Sequence, residues 1–170
     1  MLLIVASHLM RTLIVYFIVL CTFAGQAQVP DWGWLRTASG SNDDAMTLLA
    51  TDQQGNVYTA GNFNTSVLSV VGVTLSNSGT SSRDVFVAKY DKVGTAQWVI
   101  KIGGTGDELI KGLVVDPSGN RILAGNFDSP SLSGGTSVLN NSSGSTDIFF
   151  RKNKSCGIVP VGCRLWRQFA

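Results

Sequence analysis

Asp52-Gln53-Gln54-Gly55-Asn56-Val57-Tyr58-Thr59-Ala60-Gly61-Asn62-Phe63 returns 64 residues later as Asp116-Pro117-Ser118-Gly119-Asn120-Arg121-Ile122-Leu123-Ala124-Gly125-Asn126-Phe127. Each copy opens on turn chemistry: an Asp that bonds the backbone ahead, then Gly and Asn, which tolerate positive φ. The same offset pairs Trp34 with Trp98, Gly40 with Gly104, Asp43 with Asp107 and Leu49 with Leu113, giving 11 identities over the 30 positions from Trp34 to Phe63. Past a more variable stretch, Asp84-Val85-Phe86-Val87 is answered by Asp147-Ile148-Phe149-Phe150 at an offset of 63, so one residue has been lost in between. A repeat of this length, punctuated by turns, predicts a stack of small sheets.

Four strands per unit are expected. In the second unit they run near Leu109 to Val115, Arg121 to Gly125 and Asp147 to Phe150, followed by a Trp-bearing strand analogous to Trp98 to Ile102. Asp91-Lys92-Val93-Gly94-Thr95 turns the Val85 to Tyr90 strand back into the Trp98 strand. Val85 to Ala88, Leu113 to Val115 and Ile148 to Phe150 are apolar on both faces, so each must be covered on both sides. In a propeller the neighbouring blades supply that cover. The expected fold is therefore all-β, with antiparallel four-stranded repeat units over residues 28–150 forming about two blades of an incomplete β-propeller.

Composition agrees with this class. A hydrophobic fraction of 44%, a charged fraction of 14% and 19 glycines suit many short strands joined by tight turns. The formal charge of +2 averages unlike pieces. Residues 28–150 carry 11 acids against seven bases, whereas 151–170 carry five bases and no acid. No basic face or motif points to nucleic acid.

Ahead of the repeats, Met10-Arg11, the apolar run Leu13 to Phe23 and then Ala24-Gly25-Gln26-Ala27 have the three regions of a secretory signal peptide. Met10 is the expected true start, residues 1–27 the signal, and Gln28 the first mature residue. Eleven apolar residues fall short of the roughly 20 that span a bilayer, so no membrane span is expected after cleavage. Cys21 follows the bulky Leu20, which disfavours a lipoprotein signal. The predicted location is secreted or at a bacterial cell surface.

The motif Asp-x-x-Gly-Asn-Val-Tyr-x-x-Gly-x-Phe, then Asp-x-Phe-Val-Ala-Lys-Tyr-Asp-x-x-Gly-x-x-x-Trp, resembles the SBBP-type β-propeller repeat of exported bacterial proteins, many of them from Bacteroidetes. The matching positions are Asp52, Gly55, Asn56, Tyr58, Gly61, Phe63, Asp84, Phe86, Lys89, Tyr90, Gly94 and Trp98. In the second unit Arg121 and Ile122 replace Val-Tyr, a change expected to alter the surface more than the fold. The resemblance implies architecture and compartment, in a protein with more repeats and a sorting domain, but no chemistry.

Several residues of the chain are of types that can carry chemistry. The lone histidine, His8, precedes the expected start, so no Ser-His or Cys-His nucleophile pair can form in the mature chain. Asp43-Asp44 and Asp107-Glu108 offer carboxylate pairs of the kind glycosidases use. Their recurrence favours a structural role, since an active site is normally built once. Asp52 and Asp116 could present oxygens to calcium, yet each loop offers one carboxylate where calcium loops offer several. Trp34 and Trp98 could stack on sugars, though as repeat-marking residues they belong to blade cores. Cys156 and Cys163 match no zinc spacing and could form a disulfide.

No catalytic, cofactor or metal site is therefore expected. The expected role is a non-catalytic exported repeat module, of surface, adhesion or scaffold type, within a larger protein. Its partner would be a glycan or a protein, and uncovered blade faces would favour self-association. The alternative is the propeller scaffold of a larger secreted enzyme such as a glycan-active hydrolase.

The tail from Arg151 to Ala170 is expected to be the product of a reading-frame shift near Phe149-Phe150, since there the repeat stops, acids vanish and both late cysteines appear. The competing reading is a natural basic terminus. Resequencing the gene checks this: repeat-coding sequence should continue in another frame beyond codon 150, and its absence there rules the shift out.

Overall fold

The computed structural model describes Met10, Arg11, Leu13, Tyr16 and residues 31–135, 137–141 and 144–154. The chain divides into a unit ending at Gly33 and a unit beginning at Trp34. In the first, Met10, Arg11, Leu13 and Tyr16 are helical, and most of the expected signal, residues 1–27, lies outside the described residues. Among the described residues no helix is long and apolar enough to cross a membrane.

The second unit is all-β. Its strands are β1 (Ala38–Ser39), β2 (Asp44–Thr51), β3 (Val57–Phe63), β4 (Val67–Val70), β5 (Val73–Ser76), β6 (Asp84–Tyr90) and β7 (Ala96–Ile102). There follow β8 (Glu108–Val115), β9 (Arg121–Phe127), β10 (Ser131–Gly134), β11 (Ser137–Asn140) and β12 (Asp147–Asn153). The limits of β2 to β5 recur in β8 to β11 at an offset of 64, and those of β6 recur in β12 at 63. The repeat read from the sequence is thus a repeat of structure.

Antiparallel pairing orders the first sheet β2-β3-β6-β7 and the second β8-β9-β12. The Trp-bearing strand expected after β12 lies outside the described residues. β12 itself reaches Asn153, three residues beyond the expected end at Phe150, with Arg151, Lys152 and Asn153 opposite Leu123, Ile122 and Arg121. Packing explains the extension. Arg151 takes the place of Ala88 and Gly134 the place of Val70, so the larger side chain enters the volume the smaller one leaves, and Arg151 Nη2 donates to the Gly134 carbonyl. Burial there pushes the Arg151 guanidinium down to about 9.

The stretch between the second and third strands of each repeat is not the loop its variable sequence suggests. It is a hairpin, β4-β5 in the first repeat and β10-β11 in the second. Val71 and Gly72, at φ 48° and 80°, make the tight turn between β4 and β5, with the positive φ that a two-residue hairpin of right-handed twist needs. Strands of four residues are too short for an alternating pattern to stand out from their surroundings, so the sequence alone hides them.

The long turns behave as expected. Asp52 Oδ1 accepts from the amides of Gln54 and Asn56 at 3.0 and 2.9 Å, and Asp116 Oδ1 from Ser118 and Asn120 at 3.0 and 2.9 Å. Asp91 repeats the device with Val93 and Thr95 at 3.0 and 2.8 Å. Gly55 and Gly119, at φ 79° and 76°, occupy the left-handed position these turns require.

Two cores result. Phe63, Phe86, Ala88 and Tyr90 on one face of the first sheet are covered by Leu68, Val70 and Leu75 of the β4-β5 hairpin, with Trp34 against them. Val85, Val87, Ala60 and Ile102 on the other face meet Ile110, Leu123, Phe127 and Phe149 of the second sheet. The Val85 to Ala88 run is accordingly buried throughout, as a strand apolar on both faces demands. Ile148 and Phe150 depart from this, and so does Val114 of the Leu113 to Val115 run: all three are exposed.

The Ala-Gly-Asn-Phe motif has a steric cause. A Cβ on Gly61 would lie 2.0 Å from the Ala45 carbonyl oxygen and 2.8 Å from the Phe86 ring; on Gly125 it would lie 2.4 Å from the Leu109 oxygen and 2.6 Å from Phe149. In both repeats the ring of the third strand lies over the glycine. Gly125→Ala should cost about 1–3 kcal/mol through overpacking. Gly112→Ala, whose Cβ would sit 3.6 Å from Ala124, should cost little. Urea unfolding of the two variants checks the contrast.

Candidate functional site

Where the two sheets meet, the first residue of β8 is held from three sides. The Glu108 amide donates to the Arg83 carbonyl at 2.7 Å, and Asn62 Nδ2 donates to the Glu108 carbonyl at 2.6 Å. The Glu108 carboxyl group accepts from the Gly104 amide at 2.8 Å and from the Ser129 hydroxyl. All of this happens at a residue with no exposed surface.

Asp84, equally buried, lies beside it. Lys101 Nζ sits 3.2 Å from Asp84 Oδ2, which also accepts from the Ser78 amide at 2.8 Å. Asp84 Oδ1 finds no N–H or hydroxyl donor among the described residues. A protonated Glu108 supplies one. Burial pushes the Glu108 carboxyl up to about 7, and the Asp84 carboxylate adds to that, against the Ser129 hydroxyl and the Gly104 amide. The Lys101 ammonium faces Asp84, and the raised Glu108 carboxyl holds its proton more tightly than a free one. Gly103 closes over the pair, since a Cβ there would lie 2.4 Å from the Asp84 carboxyl.

The neighbouring acid faces the other way. Asp107 is half-buried and bridges to Arg83 at 2.8 Å, and this guanidinium holds its carboxyl below the ordinary carboxylate range. Asp107 and Glu108, adjacent in sequence, therefore do not converge on one substrate position. Their counterparts divide similarly: Asp43 is exposed and Asp44 half-buried. The acidic pair that the fold does assemble, Asp84 with Glu108, joins residues of different repeats.

The remaining candidates have internal partners. Asp52 Oδ2 accepts from Asn56 Nδ2 at 2.7 Å and from the Tyr58 hydroxyl at 3.0 Å, so both its oxygens serve the turn. Asp116 Oδ2 accepts from Asn120 Nδ2 at 2.7 Å. Trp34 stacks on Tyr90 at 5.7 Å between centroids, and Trp98 lies 6.0 Å from Tyr58. The Arg121 guanidinium sits 4.5 Å above the Trp98 ring. Arg121 is thus a buried seam residue, not the surface change its departure from the repeat suggested. A cation stacked on an aromatic ring can enter an interior that a bare charge cannot. Cys156 and Cys163 lie outside the described residues. Among the described residues no group of three or more His, Cys, Asp or Glu side chains gathers as a metal site would.

The chain matches no family model, no curated protein and no solved structure. What the seam can do follows from its own geometry: two buried acids meet across it, and the raised Glu108 carboxyl ties sheet packing to pH.

The sign is fixed by the raised value. Between about 4.5 and 7 the folded chain keeps a proton that the unfolded chain has released, so this stabilisation is complete below about 4.5 and lost as pH rises through 7. Glu108→Gln mimics the protonated acid. It should flatten the fall in thermal midpoint between pH 5 and 8 and add about 2 kcal/mol at pH 8. Calorimetry of both proteins across that range checks it.

Proposed function

We propose that this chain is a non-catalytic exported module of SBBP-type repeats, its two sheets acting as propeller blades that hold out a binding surface for a glycan or protein. One observation carries the reading: strand limits recur at offsets of 64 and then 63 residues while the hairpins, β4-β5 and β10-β11, differ in sequence. A constant frame whose hairpins vary at their exposed positions is how repeat proteins separate stability from recognition.

The acids and aromatics support a structural role. The carboxylates of Asp52, Asp91 and Asp116 cap turns, those of Asp84 and Glu108 close the seam, and Trp34 and Trp98 lie against tyrosines. Each of these residues already has a partner within the fold.

Two measurements test the proposal. Expressed with its leader in a bacterial host, the protein should leave the cytoplasm with an amino terminus at or near Gln28; retention of Leu13 to Phe23 in the membrane would count against export. The mature protein should bind a member of a glycan or surface-protein array without turning it over. Glycoside cleavage that is lost in Asp107→Asn would overturn the non-catalytic reading.

A further inference from the structure

Two open faces of this molecule are copies of the two faces that close on each other at the seam. There, Val85 and Val87 of β6 are 0% exposed and Ile110 of β8 is 4% exposed. The residues of the second repeat standing where Val85 and Val87 stand are Ile148 and Phe150, 71% and 76% exposed. Where Ile110 stands, the first repeat has Met46, 59% exposed, and where Leu113 stands it has Leu49, 62% exposed.

Register makes these sets faces rather than scattered residues. Ile148 and Phe150 lie opposite Asn126 and Ala124, as Val85 and Val87 lie opposite Asn62 and Ala60. Val114 and Ile122, opposite each other and exposed, extend the same face. On the other side Met46 and Leu49 lie opposite Gly61 and Thr59, as Ile110 and Leu113 lie opposite Gly125 and Leu123. Single exposed apolar residues are ordinary, but four gathered on one sheet face mark an interface.

We propose that the face bearing Ile148 and Phe150 docks, head to tail, onto the face bearing Met46 and Leu49 of a second copy of this chain, in the geometry of the internal seam. The internal seam itself names the occupant, because it shows each face already paired with the other's counterpart. Part of the polar frame carries over: Asn126 and Asp44 hold the places of Asn62 and Glu108, whose side-chain amide and carbonyl are bonded across the seam. Asp147 and Asp44 likewise stand for the Asp84 and Glu108 pair.

The Arg83–Asp107 bridge does not carry over, since its counterparts are Thr146 and Asp43. The contact between copies is therefore weaker than the seam, and it alone bears the entropy of association. Two unlike patches meet, so the contact is heterologous. Each added copy leaves one patch open at either end, until a ring closes or a filament grows.

Sedimentation of the full mature chain tests this. The wild-type mass should rise with concentration. Leu49→Lys and Phe150→Lys, each charging an already exposed position, should separately abolish that rise. An equimolar mixture of the two should form a heterodimer, because each variant keeps the face the other has lost. Met46→Lys and Ile148→Lys provide a second pair should either of the first misfold by circular dichroism. A wild type monomeric at every concentration overturns the proposal. Association that survives in one variant alone overturns it in favour of like-face pairing, and a mixture that stays monomeric overturns it as well.

Discussion

β6 is apolar on both faces, and the rest of the structure depends on satisfying it. Phe86 and Ala88 look toward one core while Val85 and Val87 look toward the other. A strand of this kind cannot sit at a solvent surface without exposing one row or the other. The first repeat solves the problem with its own hairpin on one side and the second repeat on the other. Stacking is therefore a condition of stability for each sheet, and the fixed offset between strand limits is its geometric record.

The edge of the seam is polar, which is costly and specific at once. Burying Asp84 and Glu108 together is tolerable because burial shifts Glu108 toward its neutral form while Lys101, Ser78, Ser129 and Gly104 partner the carboxyl oxygens. Such a network fits in one register only, since sliding the sheets by one residue would strand a buried charge. Val85 and Val87 supply cohesion, and the acid pair fixes the alignment.

Repeats with equal strand limits do not have equal interiors. Val70 with Ala88 becomes Gly134 with Arg151, and Val57 becomes Arg121 over Trp98. Each exchange keeps the volume filled while changing its chemistry, which is how close-packed interiors absorb substitution. The backbone is held by what does not vary: the Asp turns and the glycine beneath a phenylalanine ring.

The sequence alone determined the all-β class, the offset, the three Asp turns and the requirement that Val85 to Ala88 be covered twice. Those are local facts: turn chemistry and apolar runs depend on neighbours in the chain. Only the tertiary structure decided the rest. Asp107 and Glu108 are adjacent in sequence yet face solvent and interior, because neighbouring residues at a strand's start point opposite ways. Asp84 and Glu108 meet because a sheet boundary brings different repeats together, and no spacing within one repeat announces it. Arg121 and Arg151 carry no mark of burial, since a charged side chain goes inside only where the fold supplies a ring or a vacated volume to receive it.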